Sequence, residues 1–410
     1  MASFRVTIQK MKKTTLKNGL TLIEEKKESD SVSIVITVKT GSNNESKKIF
    51  GISHFIEHML FEGTVNRANS TIIGNEIERL GGDLNAYTSN ERTCFYVKAP
   101  RKHFDKALGL LADIIQNPLF EKKTIEKERG IILKEINLVD DEPRFYQWIL
   151  FHKTLFKKHP AKNPGYGTRE TVRKIKRKEL LSYYNKFYMP NNIIVSVVGN
   201  VSGAKSKVER AFGFKAGKLV AVEHVKEPKQ SKAVRKERRK ILSSYLVLGY
   251  KTINRREKDS YVLDVIKALL GRGQSGKIIE EIRNKRGLAY EVNVLHETEI
   301  NYGYFAVYLN TDKKNIPLTI KIILDIFKKI KNTTNKEISE AKGFIEGQYI
   351  LENEDTRELA DELAFWQQVG SVNLQKDYIK NIRKVAKKDI VRVAEKYLTD
   401  NYALAVVEQS

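Results

Sequence analysis

Cysteine is nearly absent: the one residue, Cys94, has no partner within the chain, which excludes a disulfide-stapled scaffold. Long hydrophobic runs are missing too. A membrane span needs roughly 20 apolar residues, and the best runs here, such as Val32–Val38, are strand-sized, so no membrane span is expected. Met1–Lys10 has no apolar secretory core and is too short to read as a transit peptide, which makes the cytoplasm the expected compartment. Negative charge is in deficit, 50 Asp and Glu against 74 Lys and Arg, a formal +24. The excess is dense in Lys226–Arg239, but that block lacks interleaved aromatics, glycine–aromatic motifs and zinc-finger spacing. It reads as a solvated linker that adds salt-sensitive, non-specific attraction for polyanions, with no specific nucleic-acid partner.

Histidine is scarce as well, seven in 410 residues, so its placement carries weight. The string His54-x-x-Glu57-His58 sets two imidazoles four residues apart, one helical turn above the other. Two such imidazoles can hold one zinc ion, with Glu57 beside them as a candidate base. The bland reading of two helical histidines is a surface or core accident, and a third ligand would change it. Thr124–Val139 reads as a helix of good formers. Glu128 and Glu135 lie seven apart on it and share a face, read as lined by Ile131, Ile132 and Leu138, whereas Glu121, Glu126 and Glu142 read as solvated charges. A half-buried carboxylate calls for a partner or a metal. Cys94, in a strand-like stretch, reads as a small buried residue.

The chain also repeats itself. Val172–Leu181 resembles Ile382–Val391 at an offset of 210 residues, and Lys186–Asn191 against Lys396–Asn401 keeps the register. Helical spacing in Phe104–Gln116 and Ile316–Ile330, with half-buried strands at Ser244–Tyr250 and Tyr304–Leu309, predicts an α+β chain. Two homologous domains are expected, 1–214 and 241–410, joined by the basic linker 215–240. The glycine cluster Leu270–Lys277 fails phosphate-loop spacing and reads as a helix connection or loop.

These motifs together resemble the pitrilysin (insulinase, mitochondrial processing peptidase) family of zinc peptidases, over essentially the whole chain. That family pairs H-x-x-E-H with a glutamate 77 positions after the second histidine, which falls here on Glu135. The resemblance implies one zinc per chain on His54, His58 and Glu135, with Glu57 as general base and Glu128 orienting a ligand histidine. Asn85–Tyr96 resembles the family's N-A-x-T stretch, which implies that Asn85 and Ala86 lie where a peptide substrate adds as a β-strand. Leu16–Leu22, Thr40–Ser42 and Gly165–Thr168 fit the same pattern. Arg283 and Tyr290 match the family's R-x6-Y pair, so Tyr290 would stabilise the oxyanion and Arg283 position substrate.

The resemblance further implies two α/β sandwiches, each a mixed, mainly antiparallel sheet covered by helices, and only the first holding metal. It implies an endopeptidase working in a closed chamber. Two such units in place of four imply a homodimer, Arg283 and Tyr290 of one protomer serving the zinc of the other; a heterodimer with a metal-less relative is the other arrangement. The competing readings are a non-catalytic structural subunit and a polyanion-binding protein.

Overall fold

The structure, a computed structural model, describes residues 11–218, 220 and 225–410. The Met1–Lys10 stretch and part of the 215–240 segment thus lie outside the described residues. Strands β1 (Lys12–Thr15), β2 (Thr21–Glu25), β3 (Ser31–Val38), β4 (Asp83–Thr88), β5 (Thr93–Pro100) and β6 (Ile193–Val198) form one sheet in the order β1-β2-β6-β3-β5-β4. Only β2 and β6 run parallel; every other neighbouring pair is antiparallel. The central β3 and β6 are covered on both faces and are almost wholly buried, which is why they read as continuous apolar runs. β4 is left on the edge.

A second sheet repeats the plan. Strands β7 (Ala233–Arg239), β8 (Ser244–Lys251), β9 (Val292–Thr298), β10 (Gly303–Thr311) and β11 (Ala403–Gln409) take the order β7-β11-β8-β10-β9, again with one parallel pair, β7 and β11. The 210-residue offset holds from Ile193 to Ala403, from Thr93 to Gly303, and from the helix start at Arg177 to that at Lys387. The fold is therefore α+β with two homologous, mainly antiparallel sheets covered by helices.

The helices do not all stay with the sheet nearest in sequence. Thr356–Val369 lays Leu359, Ala360, Leu363 and Ala364 against Ile23, Val35, Ile194 and Val198 of the first sheet. Thr356 shares a hydroxyl hydrogen bond of 2.8 Å with Ser33, and Asp355 pairs with Lys98 at 2.6 Å. Conversely, Pro143–Leu155 packs Leu150, Phe151 and Leu155 on Val247, Ala405 and Val407 of the second. Among the described residues, one compact unit accordingly holds 11–134, 165–218, 220 and 351–372, and the other 135–164, 225–350 and 373–410. A sequence cut near 215–240 does not show this exchange.

Lys226–Arg239, read above as a solvated linker, is docked instead. Its C-terminal half is β7, and Gln230 accepts from the Lys251 N–H at 2.6 Å. The Glu227 carboxylate accepts the backbone N–H groups of Lys157, Lys158 and His159 and the Lys251 ammonium. Burial alone would raise its pKa, yet these donors to the charged form hold it down at about 2. Charge density in the sequence does not distinguish a solvated block from an edge strand protected by its charges.

Beside that loop lies an aromatic cluster in which Trp148, Phe151, His152, Phe156 and Tyr304 pack at edge-to-face or tilted angles. Burial lowers the His152 pKa to about 4, and His159 likewise. A base so depressed protonates more readily unfolded than folded. Its stabilisation is complete above the unfolded value near 6.5 and is lost as pH falls from there toward 4. For His152 the loss at pH 5 is about 2 kcal/mol. Urea unfolding followed by the fluorescence of the adjacent Trp148 should show a fall in stability between pH 7.5 and 5 to which both histidines contribute, and His152→Leu should remove about half of it. An unchanged slope in the variant would exclude His152 as a source.

Candidate metal centre

The helix Ile52–Phe61 begins at Gly51, whose φ of 92° is left-handed. A Cβ there would sit 2.4 Å from the Tyr166 carbonyl oxygen, and one on Gly167 (φ 82°) would sit 2.3 Å from that of Phe50. This close crossing explains Gly167 of the Gly165–Thr168 turn. The buried Glu45 carboxylate closes the same end, accepting the Gly51 N–H at 2.7 Å and the Ser53 N–H at 2.8 Å. Tyr183 adds hydrogen bonds to the hydroxyls of Ser53 and Thr40. Gly51→Ala should cost about 2–3 kcal/mol through forced strain. Gly130→Ala, where a Cβ meets nothing within 4 Å, should gain about 1 kcal/mol of helix propensity. Thermal melts of the two variants shifting in the same direction would contradict this.

Along this helix His54 and His58 project from one face, their rings 4.6 Å apart and edge to face. The long helix Lys122–Asp141 supplies the carboxylates. One ligand atom each from His54, His58 and Glu135 falls within 4.8 Å of the others, and no other such group exists among the described residues. Glu128, 4 % exposed, takes His58 Nδ1 at 3.0 Å on its Oε2. Burial raises its pKa, but the donors His58 and Lys127 outweigh this and hold it below the usual carboxylate range. That bond fixes the His58 ring and turns its Nε2 away from Glu128. Two imidazoles and one carboxylate are the donor set of a zinc site that keeps a fourth position open. The residues fit the metal.

Glu57 accepts a hydrogen bond from the Thr88 hydroxyl at 2.5 Å. Thr88 ends β4, so the edge strand touches the candidate base directly. Alternation along β4 puts Thr88 and Ala86 on one face and Tyr87 and Asn85 on the other; Tyr87 donates to Asp361 at 2.6 Å, and Asn85 is exposed. Thr88 lies within the N-A-x-T stretch but was not singled out from the sequence; period-2 alternation from Ala86 was the signal for it.

The helix corrects one reading. Ile132 is buried, but Ile131 is 36 % and Leu138 63 % exposed, so they do not bury the Glu128–Glu135 face. Glu121, Glu126 and Glu142 are exposed, as expected.

In the second unit, Gly271–Gly276 is a turn between helical segments, and Arg283 lies in a π-helical turn at Glu280–Asn284. The Arg283 guanidinium stands 5.6 Å from the Tyr290 ring centre, and Tyr290 is 82 % exposed rather than in a core. Both line a cavity of about 330 Å³ with Arg144 and Gln274. At the repeat position of His54 stands Asp264, fully engaged by His296 at 2.7 Å, Arg255 at 2.6 Å and the Tyr378 hydroxyl at 3.2 Å. An ion network thus occupies this position where the first repeat has a candidate metal ligand.

Two family models match the chain, one in each half. The family model described as Insulinase (Peptidase family M16) matches residues 20–169, and that described as Peptidase M16 inactive domain matches 174–343. A Rickettsia felis protein named as an uncharacterized zinc protease is 30 % identical, covering 96 % of each chain. The Bacillus subtilis zinc protease YmxG, likewise named as uncharacterized, is 29 % identical over 98 % of each. Among solved structures, a protease from Helicobacter pylori superposes with a TM-score of 0.93 at 24 % identity, covering 98 % of this chain and 100 % of the other. A peptidase M16 inactive domain from Pseudomonas fluorescens gives 0.88 at 19 %, covering 98 % of each. These two likenesses speak for the fold.

Proposed function

This chain belongs to the insulinase (M16) peptidase family, and from that premise we propose that it is a zinc-dependent endopeptidase cleaving peptides or unfolded segments. The observation that carries the reading is the convergence of His54, His58 and Glu135 beside Glu57. Zinc held by the three ligands would polarise the scissile carbonyl and lower the pKa of water to about 7. Glu57 takes the proton of the attacking water as its oxygen bonds to the carbonyl carbon. It then delivers that proton to the amine nitrogen as the C–N bond breaks. Thr88 orients the carboxylate for both transfers. The open edge of β4 offers backbone groups to an extended peptide, with Asn85 and Ala86 along it. The exposed Ile131 and Leu138, near Glu135 on its helix, give apolar substrate side chains a place to lie.

Arg283 and Tyr290 act, in this reading, across a homodimer that closes the chamber. Among the described residues no helix is long and apolar enough to cross a membrane. A reducing compartment such as the cytoplasm suits a buried Cys94 whose thiol burial pushes up to about 12. The test is cleavage of a mixed peptide library read by mass spectrometry, with untreated, chelated and zinc-restored protein. Internal cleavage lost with chelator and regained with zinc is the expected result. A zinc-loaded dimer that cuts nothing would sink the enzymatic reading and favour a structural subunit.

A further inference from the structure

Two charged residues beside the candidate metal site, Lys127 half-exposed and Glu62 largely buried, have no part in the chemistry above. Lys127 directs its ammonium to Glu62 Oε2 at 2.6 Å and to Glu128 Oε1 at 3.2 Å. Glu62 caps the C-terminal end of the same helix that carries His58, one turn beyond it. The contacts close a ring: a hydrogen bond joins His58 to Glu128, an ion pair without hydrogen-bond geometry joins Glu128 to Lys127, a hydrogen bond joins Lys127 to Glu62, and the helix leads from Glu62 back to His58. Oε2 of Glu128 hydrogen-bonds the imidazole, while Oε1, with no hydrogen-bond partner of its own, faces the ammonium across the ion pair. Glu62 is 14 % exposed in its side chain and Lys127 54 %.

We infer that Lys127 and Glu62 are positioning residues for the metal centre: a clasp that locks the Glu128 rotamer and the spacing of the two ligand-bearing helices. Without Lys127 the Glu128 carboxylate can rotate about its last torsion and present either oxygen, or neither, to His58 Nδ1. The His58 ring then loses its fixed aim, and the third ligand, two turns along the same helix, is no longer held at a set distance. With its ammonium on a half-exposed lysine, this ion pair is screened and adds little to global stability, so its effect should appear in metal affinity. This inference rests on the zinc reading given above.

The experiment is competition for zinc between the protein and a chromophoric chelator, run on the full chain and on Lys127→Met, Lys127→Arg and Glu62→Gln. Lys174→Met, which breaks the exposed Glu170–Lys174 pair, serves as the control. Lys127→Met should weaken zinc binding on the order of 10-fold, the lower end of what losing an outer partner costs. Lys127→Arg should restore most of it, and Glu62→Gln should fall between, with melting temperatures of the metal-free proteins unchanged. Equal zinc affinity in Lys127→Met and the parent would overturn the clasp while leaving the peptidase reading intact. A parent chain that binds no zinc would overturn both.

Discussion

Glu57→Gln should reduce peptide turnover by about 10²- to 10⁴-fold, the usual contribution of a positioned general base, while the bound zinc stays in place. The substitution is nearly isosteric, and the amide oxygen still accepts the Thr88 hydroxyl that now meets Glu57 Oε2. Glu57 is not among the three side chains that converge as ligands. The change therefore removes the proton acceptor and little else. Metal content by atomic absorption and turnover on one fluorogenic peptide, measured on the same sample, separate the two effects. A variant that keeps near-parental turnover would show that some other group handles the proton. A variant that loses its zinc would show that the carboxylate belongs to the ligand set.

Mixing two inactive variants should restore activity. If Tyr290 of one protomer serves the metal centre of the other, Tyr290→Phe should cost about 10²- to 10³-fold, the usual loss for one oxyanion donor. Its own zinc and Glu57 remain intact. In a mixed dimer with Glu57→Gln, the Tyr290→Phe chain keeps a working metal centre and receives an unaltered tyrosine from its partner. Random exchange in an equal mixture makes half the dimers mixed, each with one working site of two, so about a quarter of the parental activity should return. The 82 % exposure of Tyr290, beside Arg283 on the wall of a cavity, suits a group that acts on something outside its own unit. No recovery after confirmed subunit exchange would place the pair in service of its own chain or outside catalysis.

Much of the metal centre was legible because its spacing is local. His54, Glu57 and His58 lie within one helix, and Glu128 and Glu135 within another. Relative orientation inside a helix follows from 3.6 residues per turn alone. The ends of Phe104–Gln116 were likewise read to the residue. What was misread depended on what lies opposite: Ile131 and Leu138 share the apolar character of Ile132 but face outward, and the charged 226–239 block docks through Glu227.

The sequence by itself determined the two repeats and the shared helix face of His54 and His58, because periodicity and short spacings are properties of the chain, whereas Glu135 as third ligand came from the family resemblance. Only the tertiary structure decided that Pro143–Leu155 covers the second sheet and Thr356–Val369 the first. It alone decided, too, that Thr88 reaches Glu57 and that Lys127 ties Glu62 to Glu128. The physical reason is that an amphipathic face records the need to be buried but not the partner that buries it. A charged side chain likewise records its sign and not its neighbour. Both are settled when segments distant in sequence pack together.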